Sequence, residues 1–122
     1  MRLCDFKNEP YADFPKPENA EPMRAALAGV RAEFGKTYDL RIGQERFATG
    51  DLLKSINPSN PGEVVGLHHK ATADLANKAI AVADAYFPTW AAVPAARRIE
   101  LLRGASAILR RRKFEFNAWL VY

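Results

Sequence analysis

Cysteine is almost missing: among 122 residues only Cys4 carries a thiol, which excludes an internal disulfide framework and a zinc site built from several cysteines. Long hydrophobic runs are missing as well. No apolar stretch reaches the roughly 18–20 residues of a membrane helix, and Met1-Arg2-Leu3-Cys4-Asp5-Phe6-Lys7 places charges where a signal peptide needs its apolar stretch. A soluble, cytoplasmic protein with no membrane partner is expected. A charge excess is lacking too. Eighteen Lys and Arg stand against fourteen Asp and Glu, a net +4, and 48% of the residues are hydrophobic, so a disordered tail is excluded and a packed core is affordable. The length fits one domain at most.

Glycine is present but scattered. Gly29, Gly35, Gly43, Gly50, Gly62, Gly66 and Gly104 never fall at the close spacing that lets a backbone approach a pyrophosphate between a strand and a helix, so neither a dinucleotide loop nor a P-loop is written here. His68 and His69 are adjacent; on a strand they face opposite sides and cannot share a metal, and no cysteine or carboxylate pair stands at ligand spacing. Cys4 lies next to Asp5, whose carboxylate favours the thiol over the thiolate, and no base is placed to activate it. These residues predict no catalytic, cofactor-binding or metal-ligating site.

What is there is an ordered succession of local signals. Pro10, Pro15 and Pro17, with Phe6, Tyr11 and Phe14 between them, forbid a regular element over 1–17 and predict an extended arm. From about Glu18, Met23, Leu27, Val30 and Phe34 recur at helical spacing, with Pro22 expected in the first turn and Gly35 as a left-handed end. Residues 39–42 and 45–48 alternate around Gly43-Gln44, which predicts a type II′ hairpin. A second hairpin pairs residues 52–56 with 63–67 across the turn formers 57–62, and the two hairpins are expected to form one small antiparallel sheet. Thr72 then caps a helix that Pro88 should stop, with Leu75, Ala79, Val82, Ala83 and Tyr86 inward and an Asp74–Lys78 surface pair. Pro94 opens another helix with the inward stripe Ile99, Leu102, Ala105 and Leu109. The expected fold class is α+β: an arm plus helix over 1–38, β-hairpins over 39–67 and helices over 68–122, within a single incomplete unit.

One charged feature stands out. Residues 97–113 hold seven basic side chains against Glu100 alone. Arg110-Arg111-Arg112-Lys113 beside Phe114 and Phe116 could hold phosphates and stack bases, as in a stand-alone basic module that binds nucleic acid. Cations in the last turn of a helix also complement its dipole and cover apolar neighbours, and without a wider basic face this structural reading outweighs the first. Beyond the block, Trp119, Leu120, Val121 and Tyr122 are apolar with no capping residue after them. Side chains of this kind gain about 1.5–3 kcal/mol each on burial, so a truncation, or a partner protein that covers them, is expected.

Taken in order, Phe6-Lys7-Asn8-Glu9-Pro10, the turn Ile42-Gly43-Gln44-Glu45, the run from Ser55 to Pro61 leading into Glu63-Val64-Val65-Gly66, the Ala83, Phe87 and Trp90 stretch, and Leu109–Lys113 followed by Ala118–Tyr122 resemble the N-terminal portion of 1-pyrroline-5-carboxylate dehydrogenases of the aldehyde dehydrogenase superfamily. The resemblance spans nearly the whole chain. It departs at Gln44, where the family commonly has a second glycine. It implies the start of an α/β NAD-binding domain in an oligomeric enzyme that oxidises glutamate semialdehyde to glutamate in proline catabolism. A cysteine thiolate attacks the aldehyde there, hydride passes to NAD, and a glutamate-activated water releases the acid. None of those catalytic or nucleotide-binding residues maps onto residues 1–122, and Cys4 does not correspond to the nucleophile. The resemblance therefore implies NAD for the full-length family member, no cofactor held by this chain alone, and as partners the remainder of the dehydrogenase fold or other subunits.

Overall fold

The computed structural model describes residues 8–122, so Cys4, Phe6 and Lys7 lie outside the described residues. After an irregular segment, α1 covers Pro17–Arg31. It starts one residue earlier than its periodicity predicts, with Pro17 itself in the first turn, so Pro22 falls inside the helix rather than at its start. Only one backbone donor is lost there, a modest penalty that packing of the Val30 face can outweigh. Val30 is 2% exposed. The chain then turns, and Gly35 takes the left-handed conformation at φ 76°.

Five strands follow: β1 (Thr37–Tyr38), β2 (Leu40–Ile42), β3 (Glu45–Phe47), β4 (Leu52–Asn57) and β5 (Asn60–His69). The hairpin β2–β3 forms as expected, with Ile42 opposite Glu45 and Leu40 opposite Phe47. Gly43 has φ 60° and Gln44 does not have positive φ, which is the type II′ pattern. The single antiparallel sheet does not form. Instead β2–β3 stands as a two-stranded sheet, and β4 and β5 pair in a three-stranded sheet of order β1-β5-β4 whose β1 runs parallel to β5. The two residues of β1 carry no periodic signal, so their pairing is set by the return of the chain from α1 rather than by local pattern. Leu67 N–H donates to Lys36 O at 2.9 Å beside that pair.

The second hairpin is tighter than expected. Asn57 faces Asn60 across Pro58-Ser59, and the Asn57 Oδ1 accepts from Ser59 N–H at 2.9 Å, a side chain imitating a backbone turn. Pro61 and Gly62, expected in the loop, lie within β5 next to register irregularities between Ser55 and Asn57. Val65 is skipped between the Gly66 and Val64 pairings, and it is 8% exposed. An extra residue of this kind re-aims a side chain. Gly35 N–H meets the same irregularity, 3.2 Å from Val64 O.

Three helices complete the chain: α2 (Ala73–Ala91), α3 (Ala95–Arg111) and α4 (Lys113–Val121). Thr72 caps α2 as predicted, its hydroxyl accepting from Leu75 N–H at 3.3 Å. Pro88 does not end that helix, which runs on to Ala91 and closes with Ala92 N–H on Pro88 O. A proline removes its own donor but keeps its carbonyl, so the turn after it can still form. The helix–helix core lies between α1 and α4, where Ala118 is fully buried and the Phe34 and Tyr122 rings meet edge to face at 4.9 Å. The inward stripes expected on α2 and α3 are corrected by the structure. Val82, Tyr86, Ile99, Leu102 and Leu109 are all exposed, because α2 meets the β2–β3 hairpin along one edge and α3 meets α4 at its end.

Candidate functional site

Cys4 lies outside the described residues, and the two histidines singled out by the sequence hold elements together. His68 lies flat on Tyr38 from the neighbouring strand, ring centroids 5.2 Å apart and planes 17° from parallel. Gly66 makes room for that stack, since a Cβ there would stand 3.1 Å from the Tyr38 ring. His69, on the opposite side of β5, has Nδ1 2.9 Å from Thr49 O and 3.0 Å from Thr49 N, and Nε2 3.7 Å from an Asp39 carboxylate oxygen. The two imidazoles share no ligand. Among the described residues no group of three or more His, Cys, Asp and Glu is placed to hold a metal ion.

A dinucleotide cradle needs a glycine turn between a strand and a helix whose first N–H groups are free. The strand-to-helix junction here, β5 to α2, runs through Lys70-Ala71-Thr72 and spends Thr72 on its own cap. The positive-φ glycines, Gly35 and Gly43, lie elsewhere. The residues of this junction therefore do not fit NAD.

The ionised groups form ties between distant parts of the chain. Arg31 at the end of α1 pairs with Glu63 of β5, and the other Glu63 oxygen accepts from Asn57 Nδ2 at 2.8 Å. The Asn57 amide and then the Arg31 guanidinium hold the Glu63 carboxyl below its ordinary range, and Glu63 in turn raises Arg31. In the basic block, Arg110 reaches Glu9 of the N-terminal segment at 2.9 Å, and Arg112 pairs with Glu115 while its guanidinium lies 5.3 Å from the Phe116 ring centroid. Lys113 lies 5.0 Å from the Phe114 ring centroid. Hydrogen bonding and charge from Arg112 lower the Glu115 carboxyl. The expected Asp74–Lys78 pair is replaced by a longer reach: Lys78 Nζ bonds Glu45 at 2.7 Å and sits 4.4 Å from the Phe47 ring centroid, fixing the hairpin on α2. Nothing in the sequence marks that partner, because Glu45 lies in another element.

Between the β2–β3 turn and α2 an open groove of about 780 Å³ is lined by Ile42, Gly43, Ala79, Val82 and Tyr86, with Arg41 at its rim. Along the helices Ile80 is 67% exposed and Leu102 72%.

Residues 47–122 match the aldehyde dehydrogenase family. The chain is 46% identical over 116 residues to 1-pyrroline-5-carboxylate dehydrogenase of Geobacillus thermodenitrificans, covering 95% of this chain and 22% of that protein. It is 45% identical over 120 residues to 1-pyrroline-5-carboxylate dehydrogenase 1 of Halalkalibacterium halodurans, covering 98% and 23%. Its fold superposes on 1-pyrroline-5-carboxylate dehydrogenase from Thermus, solved with bound NAD, with TM-score 0.94 and 44% identity over 100% of this chain and 24% of that one. It also superposes on proline utilization A from Bdellovibrio bacteriovorus, with TM-score 0.89 and 30% identity over 93% of this chain and 12% of that one. The chain thus spans less than a quarter of the length of the relatives it matches, corresponding to their N-terminal portion. Since this agreement covers the sequence from β3 onward and the backbone throughout, the chain belongs to the aldehyde dehydrogenase family.

Proposed function

We propose that this chain is the N-terminal segment of an NAD-dependent 1-pyrroline-5-carboxylate dehydrogenase, which oxidises glutamate semialdehyde to glutamate in proline catabolism in the cytoplasm. In this reading residues 1–122 form one incomplete unit that supplies framework and no catalytic, cofactor-binding or metal-ligating residue. The observation that carries it is the end-to-end superposition on the Thermus enzyme at 44% identity. The exposed apolar faces of α2 and α3 support the same reading, since a segment that leans on the rest of a larger fold must present such faces. Nucleic acid is left out as a partner because Arg110 and Arg112 are engaged with Glu9 and Glu115.

The test is a transplant. Residues of this chain replace the matched stretch of the Geobacillus thermodenitrificans enzyme, and NADH formation from glutamate semialdehyde is followed. The chimera is expected to turn over and the isolated chain is not. Turnover by the isolated chain, or a folded chimera that stays inert, overturns the proposal.

A further inference from the structure

We propose that His69 is a proton-operated clasp at the neck of the β2–β3 hairpin. The hairpin occupies Leu40–Phe47, so its two stalks are Asp39 on the entering side and the segment around Thr49 on the leaving side. One imidazole touches both. Nε2 faces the Asp39 carboxylate at 3.7 Å, and Nδ1 lies within hydrogen-bond reach of both the N–H and the C=O of Thr49.

A single ring nitrogen cannot satisfy both Thr49 groups at once, and the proton decides which it serves. In the neutral ring, a hydrogen on Nε2 points to Asp39 and the bare Nδ1 accepts from Thr49 N–H. The other neutral tautomer would set a lone pair against the Asp39 carboxylate and is disfavoured by repulsion. In the charged ring Nδ1 donates to Thr49 O, and the cation faces the Asp39 carboxylate across 3.7 Å as an ion pair. Thr49 N–H then loses its acceptor while both stalks are drawn to one cation. Asp39 is the charge that faces the ring. Lys70, next along β5, is paired with Asp51 at 2.9 Å, and across the ladder His69 stands opposite the apolar Leu52. His68 projects to the other side, against Tyr38. The side chain of His69 is 12% exposed, so water competes weakly for these groups.

The clasp adds to the other ties of the hairpin: Thr49 Oγ1 donates to Lys70 O at 2.9 Å at the neck, and Lys78 holds Glu45 and Phe47 on α2. The test is a titration of the isotopically labelled chain by NMR from about pH 5 to about pH 8, the range in which histidine changes charge. Two quantities are followed: the His69 ring signals and the Thr49 amide protection factor, corrected for the intrinsic pH dependence of exchange. The two should move in one step, with protection falling roughly tenfold on protonation, the ratio for one ordinary hydrogen bond. His69→Gln should remove that step from Thr49. A Thr49 amide indifferent to the charge state of His69 in the unmodified chain overturns the proposal.

Discussion

At the scale of single residues, Glu63 shows how a partly exposed polar tie is made and what it implies. Its carboxylate joins the turn side chain Asn57, 7% exposed, to Arg31 on α1, and both partners favour the ionised form. A carboxyl whose folded pKa is depressed adds stability above its unfolded value, and that stability is lost as pH falls through the depressed one. Glu63→Gln should therefore lower the urea midpoint at neutral pH, and the gap to the unmodified chain should close below about pH 4, where the unfolded carboxyl protonates. A gap that is the same at every pH would contradict this tie. Gly43 is a second case. Its left-handed φ of 60° costs a non-glycine residue about 1–2 kcal/mol, and a Cβ there would stand 3.3 Å from Val82 Cγ1. Gly43→Ala should speed amide exchange across the β2–β3 pairs by about 5–30-fold, and unchanged exchange would exclude the turn described. The glycine requirement was legible in the dipeptide; the Asn57–Glu63–Arg31 tie was not, since no local pattern relates three residues from a helix, a turn and a bulged strand.

At the scale of elements, what could be read from sequence was whatever is decided within a few residues. The Thr72 cap, the Gly43-Gln44 turn and the helical period of α1 are local, and each is found. Thr72→Ala should cost α2 about 1 kcal/mol, read as a loss of helical circular dichroism at lower temperature. The elements misread were those decided from outside. Pro88 reads as a stop, yet α2 continues to Ala91, since proline removes its own donor but keeps its carbonyl, which accepts from Ala92 N–H in the turn that follows. Strand β1 exists only because α1 returns the chain alongside β5. Docking of α4 on α1 turns on Ala118, which has no exposed surface, while Leu120 at 85% faces away. Ala118→Leu should thus destabilise the pair by about 1–3 kcal/mol through overpacking, whereas Leu120→Ala should stay within about 0.5 kcal/mol in urea unfolding. Equal costs for the two would mean that α4 packs through another face.

At the scale of the whole molecule, the fold is held by polar ties more than by a deep interior. Among the described residues the buried apolar side chains are Val30, Ile42, Val65 and Ala118, while Val82, Tyr86, Ile99, Leu102 and Leu109 lie open on two helices. Their stripes have the period of core-facing helices, which is why the sequence predicts them inward; the surface they face is not made by residues 8–122. That mismatch between pattern and burial follows from a chain that spans 24% of a relative on which it superposes fully. No candidate catalytic site was read in the sequence because no glycine loop, activated nucleophile or ligand cluster has the required spacing, and among the described residues His68 is engaged in stacking and His69 in hydrogen bonding. The account stands or falls on whether those helical faces are open in solution. The most direct measurement is fluorescence of a hydrophobic dye with the isolated chain, alongside its mass by light scattering, compared with the same residues inside the Geobacillus chimera. The account predicts strong dye binding and self-association for the isolated chain, reduced by Leu102→Glu and absent from the chimera; a dye-silent monomer that melts cooperatively by itself would contradict it.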